Sequence, residues 1–424
     1  MKKIILSLAA ILAAIVFAPE ASALPTFARQ TGMDCAGCHF NHAPLLNAFG
    51  RTFKSSGYSV VSSQGKLEAE NLSIPNPLNL SVLATVGYSK TSTASTPPAV
   101  SAGEDQGTWI LPASGGELSI FYGGRIMENT GFLSELGTGG PSAETGAAKL
   151  LWLPEVMDGN KLGLVFDTNN GQGVAHGFEL LNTGAANVQK IAVSQTHINA
   201  YSAAQWMGTN NATTGISLVG VNKMGFFNFS AYDAMTQNGS KGLTNLPLHY
   251  ARLAGIFDVR GLDLAVGVQR WYGITNAIQF NAPTAIPPGD YSATVFDAQV
   301  QGNIAGMSTG IYASYGVAPA NSMFGHGLSP AAANVFSAKS LNLGVDMNVV
   351  HKIIARAAFR QATNGDDNLS DNAIMLGVIY EMAQNVEVHV TRTNNFGDHY
   401  NLVKGGTGSA IGKVTTSMLV ELLF

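Results

Sequence analysis

Charge is sparse in this chain: Asp, Glu, Lys and Arg together make up 12% of its 424 residues, and the formal net charge is −4. A balance this mild excludes the basic footprint that nucleic-acid binding requires. Cysteine is sparser still. With 2 in the whole chain, no disulfide framework can organise the fold. Long apolar runs are missing after the first residues, which excludes transmembrane helices there. No hydrolase triad, phosphate loop, zinc-ligand spacing or dinucleotide fingerprint occurs. Asn364-Gly365-Asp366-Asp367-Asn368 has the flavour of a calcium loop but lacks the terminal Glu, so it reads as an exposed hairpin loop.

The one apolar run, Ile4 to Phe17, follows the basic start Met1-Lys2-Lys3 and precedes the small-residue site Ala21-Ser22-Ala23. That order is an export signal, so residues 1–23 are expected to be removed and the mature chain to begin at Leu24. Losing Lys2, Lys3 and Glu20 moves the net charge only from −4 to −5.

What is abundant is glycine, 48 residues, in a chain whose mean hydropathy is +0.14 despite having no long apolar run. The apolar residues are spread in alternation. In Leu341-Asn342-Leu343-Gly344-Val345-Asp346-Met347 they fall on odd positions, and in Val386-Glu387-Val388-His389-Val390 on even ones. Leu262, Leu264, Val266 and Val268 alternate with Asp263, Ala265, Gly267 and Gln269. One face suits lipid and the other a wet lumen, since Arg252, Asp263, Asp346 and Glu387 would otherwise be enclosed without water. The fold class expected is all-β: an antiparallel transmembrane β-barrel of about sixteen strands over residues 76–424. The strands are read near 78–89, 117–126, 129–137, 147–153, 161–168, 215–224, 225–235, 248–259, 262–273, 290–303, 307–317, 338–349, 353–363, 373–382, 386–395 and 413–424. Short turns then all fall at one end, the periplasmic one, and long connections such as 90–116, 275–289, 318–337 and 396–412 at the other. The last strand, Val414 to Phe424, puts Val414, Thr416, Met418, Val420, Leu422 and Phe424 on its lipid face. A terminal aromatic there resembles the assembly signal of bacterial outer-membrane barrels. One long third loop, 169–214, carries His176, His197, Trp206 and Met207. General porins fold that loop into the lumen, and by resemblance these residues could face the pore or the haem; ordinary loop or strand roles are the competing reading. His389 reads as a lumen-facing polar position. Glu104, Asp105, Asp371 and Asp398 make the outer loops acidic in places.

Both cysteines sit in Cys35-Ala36-Gly37-Cys38-His39, the attachment pattern of a c-type haem. Two thiols one helical turn apart form thioethers to the two vinyl groups, and His39 offers its imidazole to the iron. The competing reading, a thioredoxin-like redox pair, wants a strand–helix context that does not follow. Residues 24–75 therefore read as a small α-helical segment carrying one covalent haem c, seated in the lumen. Asn41 or His42 is expected to cap a helix with Pro44 in its first turn, Leu45, Phe49 and Phe53 on one face, and a stop at Gly57. Arg29, Arg51 and Lys54 are candidates for the haem propionates or, equally, solvated charges. On that helix His42 shares the face of His39 and does not reach across the ring. Met33 has the same difficulty, so the sixth ligand stays open.

Phe27-Ala28-Arg29-Gln30-Thr31-Gly32, the haem motif, and Leu46-Asn47-Ala48-Phe49-Gly50-Arg51 with Phe53-Lys54 and Gly57-Tyr58 together resemble the fused monohaem cytochrome–porins of iron-oxidising bacteria. The detailed match covers residues 25–60. The resemblance implies an outer-membrane electron conduit, an iron oxidase by half-reaction, that takes electrons from extracellular Fe(II) and passes them to a periplasmic cytochrome or other carrier. Cys35, Cys38 and His39 carry over; no iron-binding residue does. Electron export to an external acceptor, or a diffusion porin with a structural haem, are the alternatives.

Overall fold

The computed structural model describes residues 26–62, 64–70, 72–75, 79–91, 106–138, 145–191, 201–234, 246–275, 289–324, 333–383, 385–400 and 414–424. The expected signal segment, Glu104, Asp105 and His197 lie outside the described residues.

Period-two alternation becomes a closed antiparallel barrel of sixteen staves. They are β1 (Leu80–Thr91), β2 (Leu118–Met127), β3 (Thr130–Thr138), β4 (Thr145–Trp152), β5 (Asn160–Asn169), β6 (Thr213–Asn222), β7 (Gly225–Asp233), β8 (Leu248–Val259), β9 (Leu262–Thr275), β10 (Ala293–Ile304), β11 (Met307–Ala318), β12 (Ala338–Val350), β13 (Ile353–Thr363), β14 (Asn372–Ala383), β15 (Val386–Phe396) and β16 (Val414–Leu423). The register between β16 and β1, Leu423 opposite Leu83 and Thr415 opposite Thr91, closes the ring. Closure leaves no sheet edge, which is the condition for strands to cross lipid.

The short connections are set by local backbone chemistry. Val259 pairs with Leu262 around Arg260 and Gly261, at φ 55° and 78°. Ile304 pairs with Met307 around Ala305 and Gly306, at φ 53° and 85°. Positive φ at both central residues makes type I′ turns, whose twist suits a hairpin. All such turns lie at one end, which is the periplasmic end of a bacterial barrel.

Burial separates the two faces of each strand. Phe296 is 57% exposed while its neighbour Asp297 is 6% exposed; Leu343 is 44% exposed and Asn342 1%. The apolar side meets lipid, and the polar side is covered from within.

Several boundaries differ from the sequence reading. Part of the expected outer connection 90–116 is strand: Gln106–Pro112 pairs with the outer part of β1, whose inner part pairs with β2. The interruption at 113–117 holds Ala113 and Gly115 at positive φ, a kink that alternation does not reveal. Residues Lys66–Ala69 and Leu72–Pro75 form a separate two-stranded ribbon before the barrel. Asp371 is not an exposed loop acid: it is buried and its Oδ1 lies 2.6 Å from Arg360 Nη2.

Candidate functional site

Residues 26–62 lie against the lumen-facing side of the barrel, close to the short turns. Thr26 Oγ1 is 2.6 Å from Ser81 Oγ near the start of β1. The Asn129 amide, in the β2–β3 turn, donates to Ser59 Oγ at 3.2 Å. Arg51 pairs with Asp263 at the inner end of β9. Asn41 Nδ2 donates to Ser308 O at 3.3 Å and Asp346 Oδ1 at 3.0 Å. The segment thus touches strands from several sides of the wall and lies within the periplasmic part of the lumen.

Its three helices are short: α1 (Thr26–Thr31), α2 (Cys35–Cys38) and α3 (Ala48–Ser55). Asp34 caps α2, its carboxylate accepting from the Gly37 amide. Asn47 caps α3 through the Gly50 amide, and its Nδ2 also donates to the carbonyls of Ala36, Gly37 and His39 at 3.0, 3.1 and 3.3 Å. One side chain therefore ties the motif helix to the next.

The helix expected from Asn41 or His42 begins later, at Ala48. Residues 40–46 form a tight loop instead, with Asn41 at φ 60° and His39 bridged to Leu46. The Asn47 side chain accepts the Gly50 amide and so caps the helix where it begins. The expected apolar stripe is divided accordingly. Phe53 joins Tyr58, Leu151 and Phe178, while Leu45 packs with Ile191, Tyr201, Tyr312 and Met375.

Cys35, Cys38 and His39 come together as the spacing requires, all half-buried, with both thiols free. Burial and the nearby Glu387 carboxylate push the Cys35 thiol up, and burial pushes Cys38 up to about 11. His39 Nδ1 donates to the Leu45 carbonyl at 3.2 Å, which leaves Nε2 as a free lone pair. Burial holds this imidazole below its ordinary value, hence neutral and able to bind a metal. These residues fit a covalent haem: two tethering thiols on one turn and an oriented axial imidazole.

The other candidates are differently employed. Arg51 and Lys54 are neither solvated nor free. Arg51 holds Asp263, and Lys54, buried and pushed well below the usual lysine range by that burial, donates to Gln189 Oε1 at 2.9 Å. Arg29 is half-buried. His42 is not on a helix with His39. Its Nδ1 donates to Ala43 O at 2.6 Å and its Nε2 accepts from Arg356 Nη2 at 2.9 Å, so both ring nitrogens are engaged.

The third loop, between β5 and β6, folds inward. Its described residues 174–186 are almost wholly buried. Glu179 lies 3.1 Å from Arg252 Nε, and Arg252 Nη1 lies 2.5 Å from Asp297 Oδ2, all three inaccessible or nearly so. Trp206 lies under the Arg360 guanidinium, 4.6 Å from its ring centroid, and Met207 is fully buried beside it. His176 pairs with Asp167 at 2.7 Å, and its Nε2 lies 3.5 Å from Lys149 Nζ. The loop also meets the N-terminal segment: Leu46 N donates to Asn182 Oδ1 at 2.8 Å, and Asn182 Nδ2 returns a bond to Leu46 O at 2.9 Å. Sequence missed Asn47, Asn182, Glu179 and Arg252 as organising residues. Arg252 alone gave a signal, as a charge on an alternating strand.

No family model matches the chain, and no curated protein matches it. Among solved structures it is similar to Pseudomonas putida OprB, with 10% identity over 81% of this chain and 94% of that one, at a TM-score of 0.55. It is also similar to the outer membrane channel DcaP of Acinetobacter baumannii, with 8% identity over 85% and 100%, at 0.50. At these identities the likeness concerns the fold. With the apolar exterior and the distribution of turns, it makes this chain a porin-like barrel of the outer membrane.

Proposed function

We propose that this protein is an outer-membrane electron conduit built on a porin-like barrel. The observation that carries the reading is the place of Cys35-x-x-Cys38-His39: inside the periplasmic part of the lumen, with His39 Nε2 free and its ring fixed by the Leu45 carbonyl. Cys35 and Cys38 would tether a haem c, and His39 would hold its iron through the imidazole. Haem bound there supplies a one-electron carrier between extracellular Fe(II) and a periplasmic cytochrome or similar acceptor. The chain's own residues do the rest. The third loop and the N-terminal segment occupy much of the lumen, while Asn47 and Asn182 hold the motif in register with the wall.

Anaerobic addition of Fe²⁺ to the purified, oxidised protein tests this reading. The expected result is appearance of the ferrous haem spectrum, lost in Cys35→Ser. A spectrum that stays oxidised contradicts it.

A second reading, a diffusion porin with a structural haem, is favoured by one observation. The lumen is filled unevenly: Arg252, Gln299, Asn342 and Arg360 are buried, but Ser417, Leu419 and Glu421 on the inner face of β16 are only half-buried. A large single-channel current in planar bilayers would support that reading over the conduit.

A further inference from the structure

A c-type haem held by His39 needs a ligand on its opposite face if it is to be six-coordinate, and the barrel wall offers one. We infer that His389 is that second axial ligand, with Glu387 as the positioning residue that fixes its ring. The inference rests on the haem reading proposed above.

Elimination does part of the work. Among the described residues, His42 has both nitrogens engaged. His176 is paired with Asp167 in the third loop, His249 stacks on Tyr272, whose ring faces lipid, and His399 lies beside Asp367 beyond the outer end of the barrel. His351 sits in a short turn, outside the lumen wall. Met375 is buried among Leu45, Tyr201 and Tyr312, with no free space before its sulfur. Met33 packs on Gly37 within the motif's own turn.

Position does the rest. Glu387 and His389 both face the lumen from β15, and the His389 ring lies edge-on to that of His42, three residues beyond His39, with centroids 6.5 Å apart. The motif residues, His389, Leu419 and Glu421 are half-buried, so packing is looser on this side of α2 than around the buried Met375. His389 has the hydrogen-bonding habit of a metal-binding imidazole: one ring nitrogen, Nε2, is 3.0 Å from Glu387 Oε2, and no hydrogen bond occupies the other. His39 shows the same habit with the Leu45 carbonyl. Two imidazoles, each tied on one side and open on the other, meet the requirement of a bis-histidine haem.

The test uses the full-length, haem-loaded protein. A covalent haem stain and a pyridine haemochrome first establish whether the cofactor is attached. The wild type is expected to be low-spin in both oxidation states, without the charge-transfer band that Met sulfur gives a ferric haem. His389→Ala is expected to turn high-spin, to bind CO rapidly when reduced, and to regain the low-spin spectrum on addition of imidazole. His389→Met, which keeps a ligand and so guards against misfolding, is expected to acquire the sulfur band. Glu387→Gln keeps the ligand but loosens it, so CO competes roughly tenfold better. An unchanged low-spin spectrum in His389→Ala, or a sulfur band in the wild type, overturns this assignment while leaving the conduit standing. Absence of covalent haem overturns both.

Discussion

Arg252 is the residue on which the lumen filling turns. Its guanidinium stands between Glu179 of the third loop and Asp297 of β10, with Gln269 Nε2 adding a bond to Asp297 Oδ2 at 2.8 Å. Removing one partner of such a buried set strands the others, at a cost of about 3–5 kcal/mol. Arg252→Met is therefore expected to drive the third loop out of the lumen, read as a rise in single-channel conductance and in protease cutting between residues 170 and 212. Lys190 makes a second prediction in the same loop. Burial pushes its ammonium down to about 7, while the unfolded value is 10.5. Between those values the undocked loop binds more protons than the docked one, so docking strengthens as pH rises, by up to about 1.4 kcal/mol per unit. Protease resistance of the loop should climb from pH 7 to pH 9, and Lys190→Met should make that slope shallower, with Lys54 and Lys149 accounting for the remainder.

At the scale of elements, the contact between α2 and α3 has no slack. A Cβ on Gly50 would collide with the Cys38 carbonyl oxygen. Gly50→Ala is expected to force α3 off the motif at a cost of about 1–3 kcal/mol. The measurement is the fraction of purified chain carrying covalent haem, which should fall, whereas Ala48→Gly should lower it little. The strands were legible in the sequence because lipid and lumen impose period two on every stave, and residues 262–268 of β9, 341–349 of β12 and 386–390 of β15 show it. The start of α3 was not. Asn41, His42 and Asn47 are all residues that cap helices, and only Asn47's bonds to carbonyls 36, 37 and 39 decide among them. The strand at Gln106–Pro112 was hidden for a related reason: a kink at Ala113 and Gly115 breaks the alternation before it can be counted.

For the whole molecule, a barrel, an inserted loop and an inserted N-terminal segment share one polar interior. The haem motif was legible because covalent attachment fixes residue type and spacing. The inner partners of the plug were not, since Asn182, Gln189 and Asp263 meet Leu46, Lys54 and Arg51 across more than a hundred residues of chain. Chain reversal through a barrel leaves no trace in local pattern. The most direct measurement is made on vesicles carrying the protein in its outer-membrane orientation, with oxidised cytochrome c trapped inside and Fe²⁺ added only outside, under anaerobic conditions. The account predicts that the trapped cytochrome is reduced, that Cys35→Ser vesicles leave it oxidised, and that no iron enters. Reduction that depends on iron crossing the membrane, or no reduction at all, would contradict it.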